Sequence, residues 1–190
     1  MRPPVNPPVR PVAVLIGPPG SGKTTVGMAL AAHLGVPFHD TDAAVERGTG
    51  KSIGDIFVDD GESAFRALER AEVARALREE AGVVALGGGA PVDDETRAAL
   101  TGHRVVFLDV GIADAARRIG FDRSRPLLAV NPRARWIELM AVRRPIYEAL
   151  ARVRVDTAGR EPDAIAAEIA AALDAPTTPD APRARDGGQA

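Results

Sequence analysis

Val12-Ala13-Val14-Leu15-Ile16-Gly17-Pro18-Pro19-Gly20-Ser21-Gly22-Lys23-Thr24-Thr25 decides how this chain is read. Its first five residues form a continuous apolar run that ends at glycine, the pattern of a central strand buried on both faces. From Lys23 to Leu34, Val26, Ala29, Leu30 and the His33–Leu34 pair recur at helical spacing, and Gly35 closes the helix. Between strand and helix, Gly17 to Thr24 fits G-x-x-x-x-G-K-[ST], in the context that motif requires. Its glycines let backbone N–H groups converge on a phosphate, and the helix N-terminus adds a favourable dipole. Lys23 can then reach the β and γ phosphates of a nucleotide, and the Thr24 hydroxyl can ligate Mg²⁺. A Gly-rich tight turn is the bland alternative, which the strand–loop–helix context disfavours. Of the 24 basic residues only Lys23 and Lys51 are lysine, so a chain that otherwise uses arginine keeps a point-charge ammonium here.

Outward from this segment, apolar runs alternate with helical patterns. Strands are predicted at Val36–His39, Gly82–Leu86, Arg104–Val110 and Val153–Asp156. Helices are predicted at Gly61–Glu80, Ile112–Ile119, Arg133–Leu150 and Pro162–Leu173. Five strands separated by helices imply an α/β fold, a central parallel sheet with helices on both faces in three layers. Half of the 16 prolines fall in residues 1–11 and 175–190, which read as disordered tails around one domain spanning 12–174.

The 24 basic and 26 acidic residues give a net charge of −2, so no bulk field draws the chain to nucleic acid or anionic lipid. With no cysteine there is no disulfide framework, and three scattered histidines do not suggest a zinc site. No apolar run approaches the roughly 20 residues that span a bilayer, and the expected setting is the cytoplasm.

A phosphate loop alone does not name an acceptor. Asp40 and Asp42, spaced i, i+2 at the end of the second strand, project to one side if the extended conformation continues. One could serve Mg²⁺ and the other a substrate hydroxyl. Isolated, the pair would be a solvated acidic turn capping the next helix. Arg66 and Glu69 are helix neighbours, and the bland account of them is a surface ion pair. Gly87-Gly88-Gly89 after a buried strand offers backbone N–H groups to a ligand, or is simply a flexible turn. Eight arginines lie between Arg117 and Arg144 against two acids, and those in the loop-like stretch of about 119–130 could close over phosphates. Trp136 and Tyr147 are the only Trp and Tyr, which is no stacking platform for single-stranded nucleic acid.

In order and spacing, GPPGSGKT, Asp40-Thr41-Asp42, Gly61-Glu62 with Phe65-Arg66 and Glu69, the triple glycine, Arg125-Pro126-Leu127-Leu128 and Arg143-Arg144-Pro145-Ile146-Tyr147 resemble the shikimate kinases over about Val12 to Leu173. The resemblance implies a nucleoside-monophosphate-kinase-like P-loop fold with a mobile lid at about 119–130, and ATP-dependent phosphorylation of the shikimate 3-hydroxyl on the route to chorismate and aromatic amino acids. By position it implies that Asp42, Arg66, Gly88 and Arg143 bind shikimate. Gly20, Ser21, Gly22, Lys23, Thr24 and Thr25 would hold ATP, with Arg118 and Arg160 on the adenine side. Thr24 and Asp40 would attend Mg²⁺, and Lys23, Asp40 and the lid residue Arg125 would take part in catalysis. Val142 departs from the resemblance, standing where the family often has a basic residue, and the lid stretch Gly120-Phe121-Asp122-Arg123 is of variable type.

The chemistry agrees with that acceptor. A ring with one carboxylate and three hydroxyls calls for cationic forks, here Arg66 and Arg143, and for a hydrogen-bond acceptor, here Asp42, with Glu69 orienting Arg66. The expected partners are shikimate and Mg²⁺–ATP, with no nucleic acid and no membrane, for a monomer. The alternatives are another P-loop kinase, for nucleotides or gluconate, and a non-catalytic ATP-binding module. Against the module, Phe107-Leu108-Asp109-Val110 lacks the second acid of a Walker B strand.

Overall fold

The computed structural model describes residues 10–119 and 132–175. The expected tails fall almost wholly outside these residues, as do nearly all of the expected lid and its Arg125. Within them the chain runs β1 (Ala13–Ile16), α1 (Lys23–Leu34), β2 (Phe38–Asp40), α2 (Thr41–Thr49), α3 (Ile53–Asp59), α4 (Glu62–Glu79) and β3 (Val83–Ala85). A 3₁₀ turn (Ala90–Val92) leads to α5 (Asp94–Ala99), β4 (Val105–Asp109), α6 (Ile112–Ile119), α7 (Pro132–Leu150), β5 (Val153–Asp156) and α8 (Pro162–Asp174). The five strands pair in parallel in the order β2-β3-β1-β4-β5, the α/β arrangement expected from the sequence.

The three layers follow from residue alternation along β1. Val14 and Ile16 face a core completed by Val73 and Leu77 of α4 and by Trp136, Met140 and Tyr147 of α7. Ala13 and Leu15 face the opposite core, closed by Val26 and Leu30 of α1 and by Ile165 and Ile169 of α8. A strand covered on both sides needs apolar residues at every position, which is why β1 and β4 are unbroken apolar runs up to their ends.

Two departures from the sequence reading bear on the site. β2 begins at Phe38 rather than Val36, and the chain does not stay extended past Asp40: α2 starts at Thr41. Asp40 caps that helix, its Oδ1 accepting from the N–H of Asp42 (3.0 Å) and Ala43 (3.2 Å). The two aspartates therefore do not share one side of a strand. Residues 41–59, unassigned from the sequence, form α2 and α3, and the latter is opened by a Ser52–Asp55 capping box.

At the same C-terminal edge of the sheet Asp109, the last residue of β4, is only 7% exposed. Arg144 of α7 donates to both its oxygens (2.8 Å each), and Arg154 of β5 donates to Oδ2 at 2.6 and 3.1 Å. Burial alone would raise this carboxyl, but hydrogen bonds and charge from the two arginines outweigh it and hold the group below the usual carboxylate range. Asp109 is thus committed to anchoring α7 on the sheet.

Candidate active site

The phosphate loop is shaped by residues that few side chains could replace. Gly20 and Gly22 have φ of 81° and 86°, in the left-handed region, and Gly22 is the N-cap of α1. That helix starts with no side-chain cap and no acid in its first turn, whereas Asp40, Ser52 and Asp93 cap α2, α3 and α5. Its uncapped N–H groups and unopposed dipole are what an anion requires. Lys23 Nζ donates to the carbonyls of Gly17 (2.9 Å) and Pro18 (3.1 Å), folded over the loop. The Ser21 hydroxyl is buried in the loop without a hydrogen-bond partner among the described residues. Uncapped amides, an ammonium resting on carbonyls and an unpaired hydroxyl together fit the phosphates of ATP.

Thr24 Oγ1 donates to Asp40 Oδ2 at 2.8 Å, joining the first turn of α1 to the end of β2. A hydroxyl and a carboxylate in contact at the loop suit Mg²⁺, which commonly keeps one or two protein oxygens and takes the rest from phosphate and water. Among the described residues no three His, Cys, Asp or Glu side chains converge as a self-sufficient metal cage.

Beside the loop lies a cavity of about 380 Å³, whose lining includes Glu62, Arg66, Glu69, Gly89, Leu139 and Arg143. Arg66 is fixed from three directions. Its Nη1 donates to Glu69 (2.7 Å), its Nε and Nη2 donate to Glu62 (3.3 and 3.1 Å), and its guanidinium lies over the rings of Phe65 and Phe57. Glu69 is 4% exposed, so the pair is buried on its acidic side and is not the surface ion pair of the bland account. Burial pushes the Glu69 carboxyl up, against the pull of Arg66 and Arg143.

The three glycines explain how these groups come together. None has the positive φ that would demand glycine. A methyl carbon on Gly87 would lie 2.3 Å from Asp42 Oδ1 and 2.6 Å from Glu69 Oε1, and one on Gly89 would lie 2.3 Å from Arg66 Nη1. On Gly88 it would meet Gly17 O at 3.3 Å and Arg143 Nη1 at 3.5 Å. The triplet is therefore neither a flexible turn nor chiefly a row of amides; it is a floor on which the side chains of α2, α4 and α7 rest, with its middle residue against the phosphate loop. Thr41, between the two aspartates and fully buried, accepts from the Gly87 N–H (3.2 Å) and ties this floor to α2. Its role went unread in the sequence, although its position between two site carboxylates was the available signal.

Of the remaining expected residues, Arg118 reaches the phosphate loop through Gly20 O (3.2 Å) and grips Thr157 by its hydroxyl (3.0 Å) and its carbonyl. Arg160 turns the other way, to Asp156 O (2.9 Å) and to Glu168. Only the loop linking β5 and α8 relates it to Arg118, through its N–H on Thr157 O.

An anion-binding helix start and a cavity holding arginine forks and carboxylates, side by side at the same end of a parallel sheet, define a P-loop kinase of a small anionic molecule. The shikimate kinase family model matches residues 19–174, and this chain belongs to that family. It is 59% identical over 166 residues to the shikimate kinase of Thermobifida fusca, covering 87% of this chain and 96% of that one. To the shikimate kinase of Salinispora arenicola it is 58% identical, over 86% of this chain and 98% of the other. Shikimate kinase from Acinetobacter baumannii in complex with shikimate superposes with a TM-score of 0.81 at 35% identity, covering 85% of this chain and 91% of that one.

The state of Glu69 sets one stability expectation. Its carboxyl is raised on folding, so the folded chain binds that proton more tightly than the unfolded chain does, and its ionised form at neutral pH opposes folding. Glu69→Gln is expected to raise Tm at neutral pH. The difference should fade in acid, as wild-type Glu69 takes up its own proton. Thermal unfolding across this range checks it, and a lower Tm for the variant at neutral pH would mean that pairing with Arg66 outweighs burial.

Proposed function

We infer that the chain transfers the γ-phosphoryl group of Mg²⁺–ATP to the 3-hydroxyl of shikimate, giving shikimate 3-phosphate and ADP. The observation that carries this reading is the triple-glycine floor, which gathers Asp42, Arg66, Glu69 and Arg143 against the start of the phosphate loop. Arg66 and Arg143 hold the shikimate carboxylate by charge-assisted hydrogen bonds. Asp42 accepts the hydrogen bond of the reacting hydroxyl, whose proton leaves toward it as the new O–P bond forms and the bond to the ADP oxygen breaks. Gly88 contributes backbone to the same site. Lys23, with the amides from Gly20 to Thr25, holds the phosphates, while Thr24 and Asp40 hold Mg²⁺, which neutralises charge on the transferring group. Arg118 serves the nucleotide from beside Gly20, and Arg160 serves it after leaving Glu168. The contact of Asp40 with Thr24, and the separate seat of Asp42 on Gly87, support this division of roles.

The catalytic unit is one domain over 12–174. It acts as a monomer in the cytoplasm without nucleic acid, a reading supported by a site built from a single chain, by the near-neutral net charge and by the lack of cysteine. Among the described residues no helix is long and apolar enough to cross a membrane.

A coupled assay offering shikimate, AMP and gluconate in parallel tests the acceptor. Turnover is expected with shikimate alone, and comparable turnover with either other acceptor overturns the reading. Asp42→Asn should lower kcat/KM for shikimate by roughly 10²-fold with the ATP KM nearly unchanged, whereas Asp40→Asn should shift the Mg²⁺ dependence. Equal loss of ATP affinity in both variants, with the shikimate response kept, would reverse the assignment.

A further inference from the structure

We propose that Tyr147 is a positioning residue of the acceptor site, its phenol fixing the Gly88 carbonyl and through it the Arg143 guanidinium; the proposal rests on the shikimate reading above. Tyr147 is fully buried, the largest such side chain among the described residues, and its O–H donates to Gly88 O at 2.6 Å. The same carbonyl accepts from Arg143 Nη1 at 2.9 Å. Arg143 and Tyr147 are one helical turn apart on α7, so two donors from one face of a helix converge on one oxygen in the glycine floor.

The burial is structural on the ring side and polar at the tip. The Tyr147 ring packs against Phe107 of β4 with centroids 5.2 Å apart, which ties its direction to the centre of the sheet. Burial also pushes its hydroxyl above the ordinary phenol range, against the pull of Arg143, so it remains a donor at any working pH. The constraint falls where the backbone has least of its own. Gly88 has no side chain to fix its peptide, and it abuts Gly17 O, the carbonyl on which Lys23 rests.

With the carbonyl held by the phenol, one Arg143 donor is satisfied on it in a set direction, the phenol oxygen takes a second contact from the same guanidinium, and the remaining N–H groups are the ones available to an anion in the cavity. Without it, the Gly88 peptide can turn, Arg143 follows its acceptor, and the shikimate carboxylate loses a prearranged fork. The cost falls on acceptor binding and not on phosphate binding, because the loop keeps its own contacts.

Tyr147→Phe keeps the ring on Phe107 and removes only the hydroxyl, with its bond to Gly88 and its contact with Arg143. In the full-length chain, KM for shikimate is expected to rise roughly tenfold, while kcat and the ATP KM stay within about twofold. A merely structural role would instead lower Tm and spread the loss over all three constants, and that outcome overturns the proposal. The effect should also be non-additive with Arg143→Lys, adding little to shikimate KM once the fork is gone; full additivity overturns it as well. In ligand-free protein carrying ¹³C at glycine carbonyls, the Gly88 resonance should move upfield in Tyr147→Phe, and an unmoved resonance overturns the clamp. That spectrum uses no substrate, so failure of the clamp is told apart from failure of the shikimate reading, which shows in the wild-type assay alone.

Discussion

Replacing Lys23 by methionine is expected to lower kcat by roughly 10² to 10⁴-fold, the loss typical of removing one positioned charge from phosphoryl transfer. The ammonium rests on the Gly17 and Pro18 carbonyls in the ligand-free loop, so it is already at the site and has only to exchange carbonyl for phosphate oxygen. The same geometry bounds the effect on the fold. Both hydrogen bonds are partly buried loop contacts, worth about 1 kcal/mol each, and their loss should lower Tm by a few degrees without unfolding the chain. Steady-state kinetics beside thermal unfolding checks both halves. Turnover within about tenfold of wild type would refute the role of the lysine.

Gly89→Ala should abolish the acceptor site in a protein that still folds. Gly89 has φ of −90° and ψ of −25°, which alanine adopts without strain. The new methyl would lie 2.3 Å from Arg66 Nη1 and 3.0 Å from its Cζ, so the guanidinium must move, and as the far end of a long side chain it can do so. Displacement takes it from the position where Glu69, Glu62 and the two phenylalanines hold it. Charge-assisted hydrogen bonds are worth about 1.5–3 kcal/mol each, so kcat/KM for shikimate should fall roughly 10²-fold or more with the ATP KM near wild type, while Tm falls by several degrees as Arg66 gives up Glu62 and the buried Glu69. Gly87→Ala would be a poorer probe, because its methyl would strike the Asp42 and Glu69 carboxylates at once. Unchanged shikimate kinetics in Gly89→Ala would mean that Arg66 binds nothing in that cavity.

The contrast between these two glycines and those of the phosphate loop shows where the sequence was readable. Gly20 and Gly22 sit between an apolar run and a helical pattern, and both their spacing and their left-handed backbone are local properties. The central, doubly covered places of β1 and β4 likewise follow from their apolar runs, broken in β4 only at its terminal Asp109. Gly87 and Gly89 are glycine because Asp42, Glu69 and Arg66, distant in the chain, lean on them, and no local pattern carries that information. For Asp40 the local signal pointed two ways: extended geometry carried on to Asp42 was preferred, and the helix cap weighed as its alternative is what forms. The Ser52–Asp55 box that starts α3 was legible and unused. Tyr147 and Thr41 stood in plain view inside the motifs, but their partners, Gly88 and Gly87, could be paired with them only once the sheet had brought β3 beside β1.

Trp136, near the start of α7, is 5% exposed and donates its indole N–H to the Pro19 carbonyl at 3.3 Å. It is the only tryptophan in the chain. An indole dipole held against a phosphate-loop carbonyl makes the protein its own optical probe of that loop. Nucleotide titrations and stopped-flow mixing can be followed by intrinsic emission with no label attached, and red-edge excitation, which leaves the lone tyrosine dark, assigns the whole signal to one address on the phosphate loop.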